Sequence, residues 1–300
     1  MRIILFGRSG QVGRELVPLL TELGSLASFD RGQVDLEHAD AIRAVIRRER
    51  PDVVVNAAAS TAVDRAESDP EPARRVNADA VGVMAEEVAR SGGWLIHYST
   101  DYVFDGTKAT GYVETDATRP LNVYGATKLA GERLVAASGC RHLIFRSSWV
   151  YAAHGHNFMR TVLRLLQDRE DLAVVDDQFG APTSAERIAR VTADAVRRID
   201  AVPPESGVFH LAAGGSTSWH GFALFIAAAA RDGGLDLRVA PDRIRRLPSE
   251  ALSQPARRPA SSLLDTSKLR REFGTVLPDW RVDAAAVLTT AIRHTEATTA

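Results

Sequence analysis

The 300-residue sequence contains one cysteine, almost no net charge and no long apolar run. The lone Cys140 cannot form an internal disulfide, which fits a reducing compartment. A formal net charge of −1 gives no electrostatic reason to expect nucleic acid or an anionic membrane as a partner. No stretch approaches the roughly 18 apolar residues of a membrane span, and the N-terminal apolar run is too short for a signal peptide. We therefore expect a cytoplasmic protein.

Short apolar runs alternate with longer amphipathic segments in the first half of the chain. The apolar runs predict strands at residues 2–7, 25–30, 52–58, 94–100 and 141–148. The amphipathic segments predict helices at residues 11–23, 38–50, 71–91 and 124–138. Strands that are apolar along their length suit a parallel sheet covered on both faces. The pattern predicts a Rossmann-type doubly wound α/β fold.

The pattern changes after about residue 150. Helices are predicted at 157–167 and 184–199, and short strands at 172–176 and 208–212, whereas 241–262, rich in Pro, Arg and Ser, is predicted to be irregular. We predict a dinucleotide-binding Rossmann domain formed by residues 1–150 together with about 172–200. Residues 151–171 and about 201–300 are predicted to form a smaller α/β substrate-binding domain.

A glycine-rich loop follows the first predicted strand. Gly7, Gly10 and Gly13 have the spacing GxxGxxG, which is a weak signal alone but a stronger one between a strand and a helix. Such glycines allow a tight turn, close approach of backbone to a pyrophosphate and close helix packing. The phosphates then bind N–H groups at the helix N-terminus. The loop, with Gln11 and Val12, is predicted to bind a dinucleotide.

The end of the second predicted strand leaves the choice between NADH and NADPH open. Asp30 stands where an acid binds the adenosine ribose hydroxyls of NAD, about 20 residues after the glycine loop. Its neighbour Arg31 could instead pair with the 2′-phosphate of NADP. Asp35 and Leu36 are expected to flank the adenine.

The third predicted strand ends in small residues, which leave room for a bound cofactor. Tight packing of a helix on the sheet is the alternative interpretation. We assign four residues here to the cofactor site: Ala57, Ala58, Ala59 and Thr61.

Three residues form a candidate catalytic site: Thr100, Tyr124 and Lys128. Thr100 closes the fourth predicted strand, and reactive groups gather at the carboxyl ends of strands in open α/β sheets. Tyr124 and Lys128 are four residues apart, on one face of a helix. The ordinary tyrosine pKa, about 10, is high for acid–base work at neutral pH, and a nearby ammonium would lower it. With a nicotinamide alongside, the predicted chemistry is hydride transfer to a ketone or from a carbinol; an ordinary helix start is the alternative.

Together these motifs resemble the extended short-chain dehydrogenase/reductase family. Longer segments narrow the resemblance to the dTDP-4-dehydrorhamnose reductases and cover nearly the whole chain in order. They are NAAASTAVDRAE (56–67), STDYVFDG (99–106), PLNVYGATKLAGE (120–132), RSSWVYAAHGHNFMRTVLRL (146–165), DDQFGAPTSAE (176–186) and HLAAGGSTSWHGFA (210–223). The resemblance implies that NADPH or NADH reduces the C4 ketone of dTDP-6-deoxy-L-lyxo-4-hexulose to give dTDP-L-rhamnose.

The resemblance also implies roles for single residues. Tyr124 would donate a proton to the C4 oxygen, Lys128 would lower the tyrosine pKa and hold the nicotinamide ribose, and Thr100 would bind the reacting oxygen. The remaining matches are expected near the nucleotide sugar: Asp101, Tyr102, Trp149 and Asn157. For Trp149, simple packing is an equal alternative. Ser60 stands where the family usually has an aromatic residue, which puts one contact in doubt.

Some relatives dimerise around magnesium held by glutamates, so the resemblance leaves a homodimer open. Glu15 and Glu186 match two such positions, but the C-terminal helix offers Thr289 and Thr290 in place of a glutamate. We predict no metal site. Alternatives to the implied reaction are another nucleotide-deoxysugar reductase, an epimerase, or a non-catalytic regulatory subunit of the same fold.

Overall fold

The computed structural model describes the backbone of residues 1–299 and the side chains of residues 1–293. Its strands are β1 Arg2–Phe6, β2 Ser25–Phe29, β3 Val53–Asn56, β4 Trp94–Thr100, β5 Arg141–Ser147, β6 Val150–Tyr151, β7 Leu172–Val175, β8 Phe179–Gly180, β9 Thr183–Ser184, β10 Gly207–His210, β11 Thr217–Ser218 and β12 Ile244–Leu247. Its helices are α1 Gln11–Thr21, α2 Ala39–Glu49, α3 Val63–Ser68, α4 Pro70–Arg74, α5 Ala80–Ser91, α6 Val123–Ala137, α7 Phe158–Asp168, α8 Ala185–Ala201, α9 Trp219–Asp232, α10 Ser267–Phe273 and α11 Trp280–Thr299. None of the helices in residues 1–299 combines the length and the apolar character needed to cross a membrane.

The central sheet has six parallel strands in the order β10–β5–β4–β3–β1–β2. Alternate side chains of β1 point to opposite faces. Ile3 and Leu5 pack with α1 and α8, whereas Ile4 and Phe6 pack with α2 and α5. The predicted doubly wound parallel sheet is confirmed. Strand β2 lies on one side of β1 and β3 on the other, so the strand order reverses at β1. Such a switch point opens a crevice at the carboxyl ends of the strands.

A second apolar core lies outside the sheet and combines helices α7, α9 and α11. Met159, Phe222 and Leu288, one from each helix, are at most 1% exposed. The strand pair β7–β12 packs on the same core through Leu172 and Ile244. This group of helices and short strands forms the smaller α/β part of the fold.

Some boundaries differ from those that we predicted. The prediction that residues 241–262 are irregular is wrong at Ile244–Leu247, which pairs in parallel with β7. Arg245 and Arg246 point outward between the two apolar residues, so the strand has a weak apolar pattern. Strand β7 packs on the second core, and β10, expected in the substrate-binding domain, is an edge strand of the central sheet.

The single helix predicted at residues 71–91 is divided. Helix α4 is followed by a π-helical turn at Arg75–Asp79 and then by α5. The turn carries Asn77 into the interior, where its Oδ1 accepts from the Ser60 backbone N–H at 2.9 Å. Its Nδ2 donates to the Thr127 hydroxyl of α6 at 3.2 Å. The irregular turn therefore fastens the loop after β3 to the helix that carries Tyr124.

Candidate active site

A cleft of about 930 Å³ opens at the carboxyl ends of β1, β2, β3 and β4. Every residue that we predicted to bind the cofactor lines it: Gly7, Gly10, Gln11, Val12, Asp30, Arg31, Asp35, Leu36, Ala57, Ala58, Ala59, Thr61, Tyr124 and Lys128. Residues missed by the prediction line it as well, among them Val34, Tyr98, Ser147, Val150 and His156. The cleft runs from the glycine loop to the candidate catalytic tyrosine.

The glycine loop has the close approaches that a pyrophosphate site needs. Gly7 has a φ of +85°, and a Cβ there would lie 2.6 Å from the backbone N of Ala58. A Cβ on Gly13 would lie 2.0 Å from the carbonyl oxygen of Gly7. Helix α1 begins at Gln11, directly beside the cleft. A bare backbone turn at a helix N-terminus fits the phosphates of NADPH or NADH.

Two charged clusters lie where the sequence predicts the adenosine end of the cleft, after β2. Asp30 accepts from the N–H groups of Gly32 and Gln33 with Oδ1, at 3.0 and 3.2 Å, and from Arg8 Nε with Oδ2 at 3.2 Å. Arg31 pairs with Glu37 at 2.8 Å. A 2′-phosphate would compete with Asp30 for Arg8, whereas ribose hydroxyls would share the Asp30 carboxylate. Arg8, which the sequence interpretation did not single out, thus adds a second cation to the choice between cofactors.

Thr100, Tyr124 and Asp101 meet at the catalytic end of the cleft. Helix α6 begins just before Tyr124 because the Asn122 side chain caps it, with Oδ1 accepting from the Gly125 N–H at 2.8 Å. Thr100, the last residue of β4, donates its hydroxyl to Asp101 Oδ1 at 3.0 Å. The Thr100 hydroxyl also acts on the Tyr124 phenol, whose pKa it lowers. The predicted threonine is therefore near enough to the predicted tyrosine to act on its pKa.

The pKa of Tyr124 differs from the predicted direction. Burial of the phenol, together with the Asp101 carboxyl, raises the pKa of Tyr124 to about 12, and the Thr100 hydroxyl only partly opposes this. We had predicted that Lys128 lowers this pKa. Its Nζ instead donates to the carbonyl oxygen of Tyr98 at 2.5 Å. The lysine is held against β4, and the tyrosine stays protonated at neutral pH.

Lys128 is 2% exposed and contacts a histidine that the sequence interpretation missed. Its Nζ lies 3.2 Å from Nε2 of His97, which is 1% exposed in the middle of β4. Burial lowers the pKa of Lys128 to about 8, although Glu132 opposes this shift. The sequence did offer an indication of this contact, because the histidine interrupts the apolar start of the strand WLIHYST.

Two of the residues expected near the sugar lie beside Tyr124. The ring of Tyr102 meets that of Tyr124 edge-on, with 5.8 Å between ring centroids. Asp101 is 4% exposed and shares Thr100 with the tyrosine. Both side chains are therefore within the immediate surroundings of the candidate proton donor.

The other two, Trp149 and Asn157, make contacts between distant segments. Trp149 has a φ of +50° and stacks on Trp219, with ring centroids 3.5 Å apart and planes 7° from parallel. Asn157 caps α7 and donates to Gln11 Oε1 at 2.8 Å. Its amide thereby ties the start of α7 to the start of α1 in the cleft wall.

The glutamates matched to metal positions in relatives have protein partners. Glu15 Oε1 lies 2.8 Å from His154 Nε2, and Glu186 pairs with Arg190 at 2.7 Å. Within the described side chains, no group of three His, Cys, Asp or Glu residues is placed to hold a metal ion. The absence of a metal site stays a prediction.

We expect Asp101 to make stability depend on pH. Burial raises the pKa of Asp101 to about 6 from an ordinary value of 3.8. Its stabilising contribution is therefore complete below about pH 3.8 and is lost as the pH rises through about 6. The difference corresponds to about 3 kcal/mol. Between pH 4 and 7, wild type should lose about 2 kcal/mol or slightly more of this unfolding free energy relative to Asp101→Asn, measured by urea denaturation.

Asp105→Asn is the control for this experiment. A hydrogen bond from the Tyr112 hydroxyl holds the pKa of Asp105 below its ordinary value, so that residue stays ionised over the same pH range. Asp105→Asn should change the free energy of unfolding by about the same amount at each pH in this range. A difference between wild type and Asp101→Asn that does not change with pH would contradict the assigned pKa.

Comparison with known proteins gives one consistent result. The family model described as the RmlD substrate binding domain matches residues 1–293. A dTDP-4-dehydrorhamnose reductase of Shigella flexneri is 48% identical over 292 residues, covering 96% of this chain and 97% of that protein. The structure of such a reductase from Clostridium acetobutylicum superposes with a TM-score of 0.87 at 30% identity, covering 96% of this chain and 98% of the other. One from Bacillus anthracis, in complex with NADP, has a TM-score of 0.85 at 31% identity, with coverages of 95% and 98%.

Proposed function

The chain belongs to the RmlD substrate binding domain family, and on this premise we propose that Tyr124 is the proton donor of a dTDP-4-dehydrorhamnose reductase. The enzyme reduces the C4 ketone of dTDP-6-deoxy-L-lyxo-4-hexulose to dTDP-L-rhamnose with NADPH or NADH. The observation that carries the proposed role is the position of the Tyr124 side chain, which lines the same cleft as the glycine loop and is close enough to Thr100 for the threonine to affect its pKa.

The state of Tyr124 suits a donor in the reductive direction. Reduction adds a hydride to C4 and a proton to its oxygen, and NADPH or NADH, when bound, supplies the hydride. With a pKa of about 12, Tyr124 is almost entirely a phenol at neutral pH, so a proton is available. The alkoxide that develops is a stronger base than a phenolate, so the transfer is downhill. Thr100 would bind the same carbonyl by turning its hydroxyl hydrogen from Asp101 to the carbonyl oxygen.

Lys128 and the residues around Tyr124 have supporting roles in the proposal. Lys128 would hold the nicotinamide ribose. Asp101 and Tyr102 would contact the sugar ring. Trp149 and Asn157 would shape the far wall of the substrate site. The division into cofactor and substrate domains, a homodimer and a cytoplasmic location belong to the proposal as well.

A coupled assay tests the reaction. Purified protein is mixed with the 4-keto sugar nucleotide, made in situ from dTDP-glucose by the upstream dehydratase and epimerase, and with NADPH or NADH. We expect loss of the reduced-nicotinamide absorbance that depends on the sugar, and dTDP-L-rhamnose as the product. No loss with either cofactor, from folded protein, would refute the activity. The ratio of kcat/KM for the two cofactors shows which is preferred. A higher value with NADPH favours binding of the 2′-phosphate by Arg8, and a higher value with NADH favours binding of the ribose hydroxyls by Asp30.

A further inference from the structure

A row of three buried polar side chains runs beneath the catalytic end of the cleft. Asn56 on β3, His97 on β4 and Lys128 on α6 are each at most 2% exposed. Asn56 and His97 lie opposite each other in the sheet register, and Asn56 Nδ2 is 3.2 Å from His97 Nδ1. His97 Nε2 is in turn 3.2 Å from Lys128 Nζ. The imidazole thus bridges the end of β3 and the candidate catalytic lysine.

The Ala58 backbone N–H determines which atoms donate and which accept along the row Asn56–His97–Lys128. The Ala58 N–H can only donate, and it donates to Asn56 Oδ1 at 3.1 Å. This fixes the amide, so that Nδ2, which carries only hydrogens, faces His97 Nδ1. Nδ1 must therefore accept. A neutral imidazole that accepts at Nδ1 carries its hydrogen on Nε2, toward Lys128.

The lysine nitrogen then meets one acceptor and one donor. The Tyr98 carbonyl oxygen accepts from Nζ, and the His97 Nε2–H points at it. An ammonium has three hydrogens and no lone pair, whereas an amine has two hydrogens and one lone pair. Only the amine form of Lys128 satisfies both contacts. The ammonium form must give up the His97 hydrogen bond or reverse the Asn56–His97 pair.

We propose that His97 is a positioning residue that, held by Asn56 as the Nε2–H tautomer, weakens proton binding at Lys128. The proposal rests on the proposed function, because it concerns the lysine of that reaction. It implies that Lys128 exchanges its proton close to the pH of the cell. The charge that would hold the nicotinamide ribose is then easily gained and lost.

The charged and titratable groups around the lysine are consistent with this assignment. On α6, Glu132 raises the pKa of Lys128, but Arg146 of β5 neutralises it. Tyr124, one turn earlier, is a phenol, and Asp101 acts on that phenol. Burial and the lysine charge hold the pKa of His97 well below its ordinary value, so the imidazole is neutral. The pKa of Lys128, about 8, is lowered chiefly by burial.

Nuclear magnetic resonance of the full-length protein tests the proposal without turnover. The chain has three lysines, Lys108, Lys128 and Lys268, so ¹³Cε-labelled lysine gives a spectrum in which Lys128 can be assigned with Lys128→Arg. We expect its titration midpoint near pH 8, with the ¹⁵N signals of His97 following the same midpoint. Below and above it, Nε2 should carry the hydrogen. A hydrogen on Nδ1, or a Lys128 midpoint near the ordinary value of about 10.4, overturns the proposal.

Two amide variants of His97 distinguish a hydrogen bond donated to Lys128 from simple packing against it. Glutamine can place an amide N–H about where Nε2 stands, whereas asparagine reaches only the Nδ1 position. His97→Asn should raise the Lys128 midpoint by at least about one pH unit, a tenfold change in proton affinity, and His97→Gln should raise it by less. Equal midpoints in wild type and His97→Asn, or an equal rise in both variants, overturn the proposal. Because these readings need no substrate, a failed reductase assay remains a separate result.

Discussion

Replacing Tyr124 with phenylalanine is expected to lower kcat by about 10²–10⁴-fold, the usual contribution of a positioned general acid. The phenol lines the cleft, and its pKa of about 12 keeps the proton in place until the ketone is reduced. Phenylalanine keeps the ring, including the edge-on contact with Tyr102. The loss should therefore appear in turnover, measured as nicotinamide oxidation under saturating sugar nucleotide.

The cofactor affinity of Tyr124→Phe should stay within about threefold of wild type, because the glycine loop and Asp30, which we propose bind the phosphates and the adenosine, also line the cleft and are unchanged. Tyr151→Phe is the matched control. Tyr151 is 1% exposed in the second core, and its hydroxyl has no hydrogen-bond partner among the described residues. This control should turn over at nearly the wild-type rate. Full activity in Tyr124→Phe would exclude the tyrosine as the donor.

Replacing Glu132 with glutamine is expected to cost about 3–5 kcal/mol of unfolding free energy. Arg146 Nε and Nη2 donate to the two Glu132 oxygens at 2.9 and 2.6 Å, and both side chains are 5% exposed. The substitution keeps the size of the side chain but leaves the guanidinium charge buried without its counter-ion. Urea denaturation at pH 7, followed by circular dichroism, measures the loss.

Glu186→Gln is the control for this loss, since it removes the same charge from an exposed pair. Glu186 and Arg190 are 47% and 60% exposed, and solvent screens their attraction. The control should change stability by less than about 1 kcal/mol. Similar small losses in both variants would contradict the prediction that Arg146 needs the Glu132 carboxylate as its buried counter-ion. In Glu132→Gln, loss of the carboxylate should also lower the Lys128 midpoint, because Glu132 raises the pKa of that lysine.

The sequence predicted the features that depend on neighbours within a few residues. Apolar runs and amphipathic segments give the parallel sheet, since each element must bury its own apolar face. The glycine spacing in residues 7–13 needs only the strand before it and the helix after it. Tyr124 and Lys128 share a helix face because they are one turn apart.

Tertiary structure decided what depends on partners far along the chain. Trp149 stacks on Trp219, and β12 exists as a strand because β7 pairs with it. The direction of the Tyr124 pKa and the link from Lys128 to His97 likewise follow from burial between β4 and α6. Desolvation and hydrogen-bond direction are set by which groups surround an atom in space. Local sequence therefore determined the fold class and the candidate catalytic residues, and only the packed structure determined their protonation.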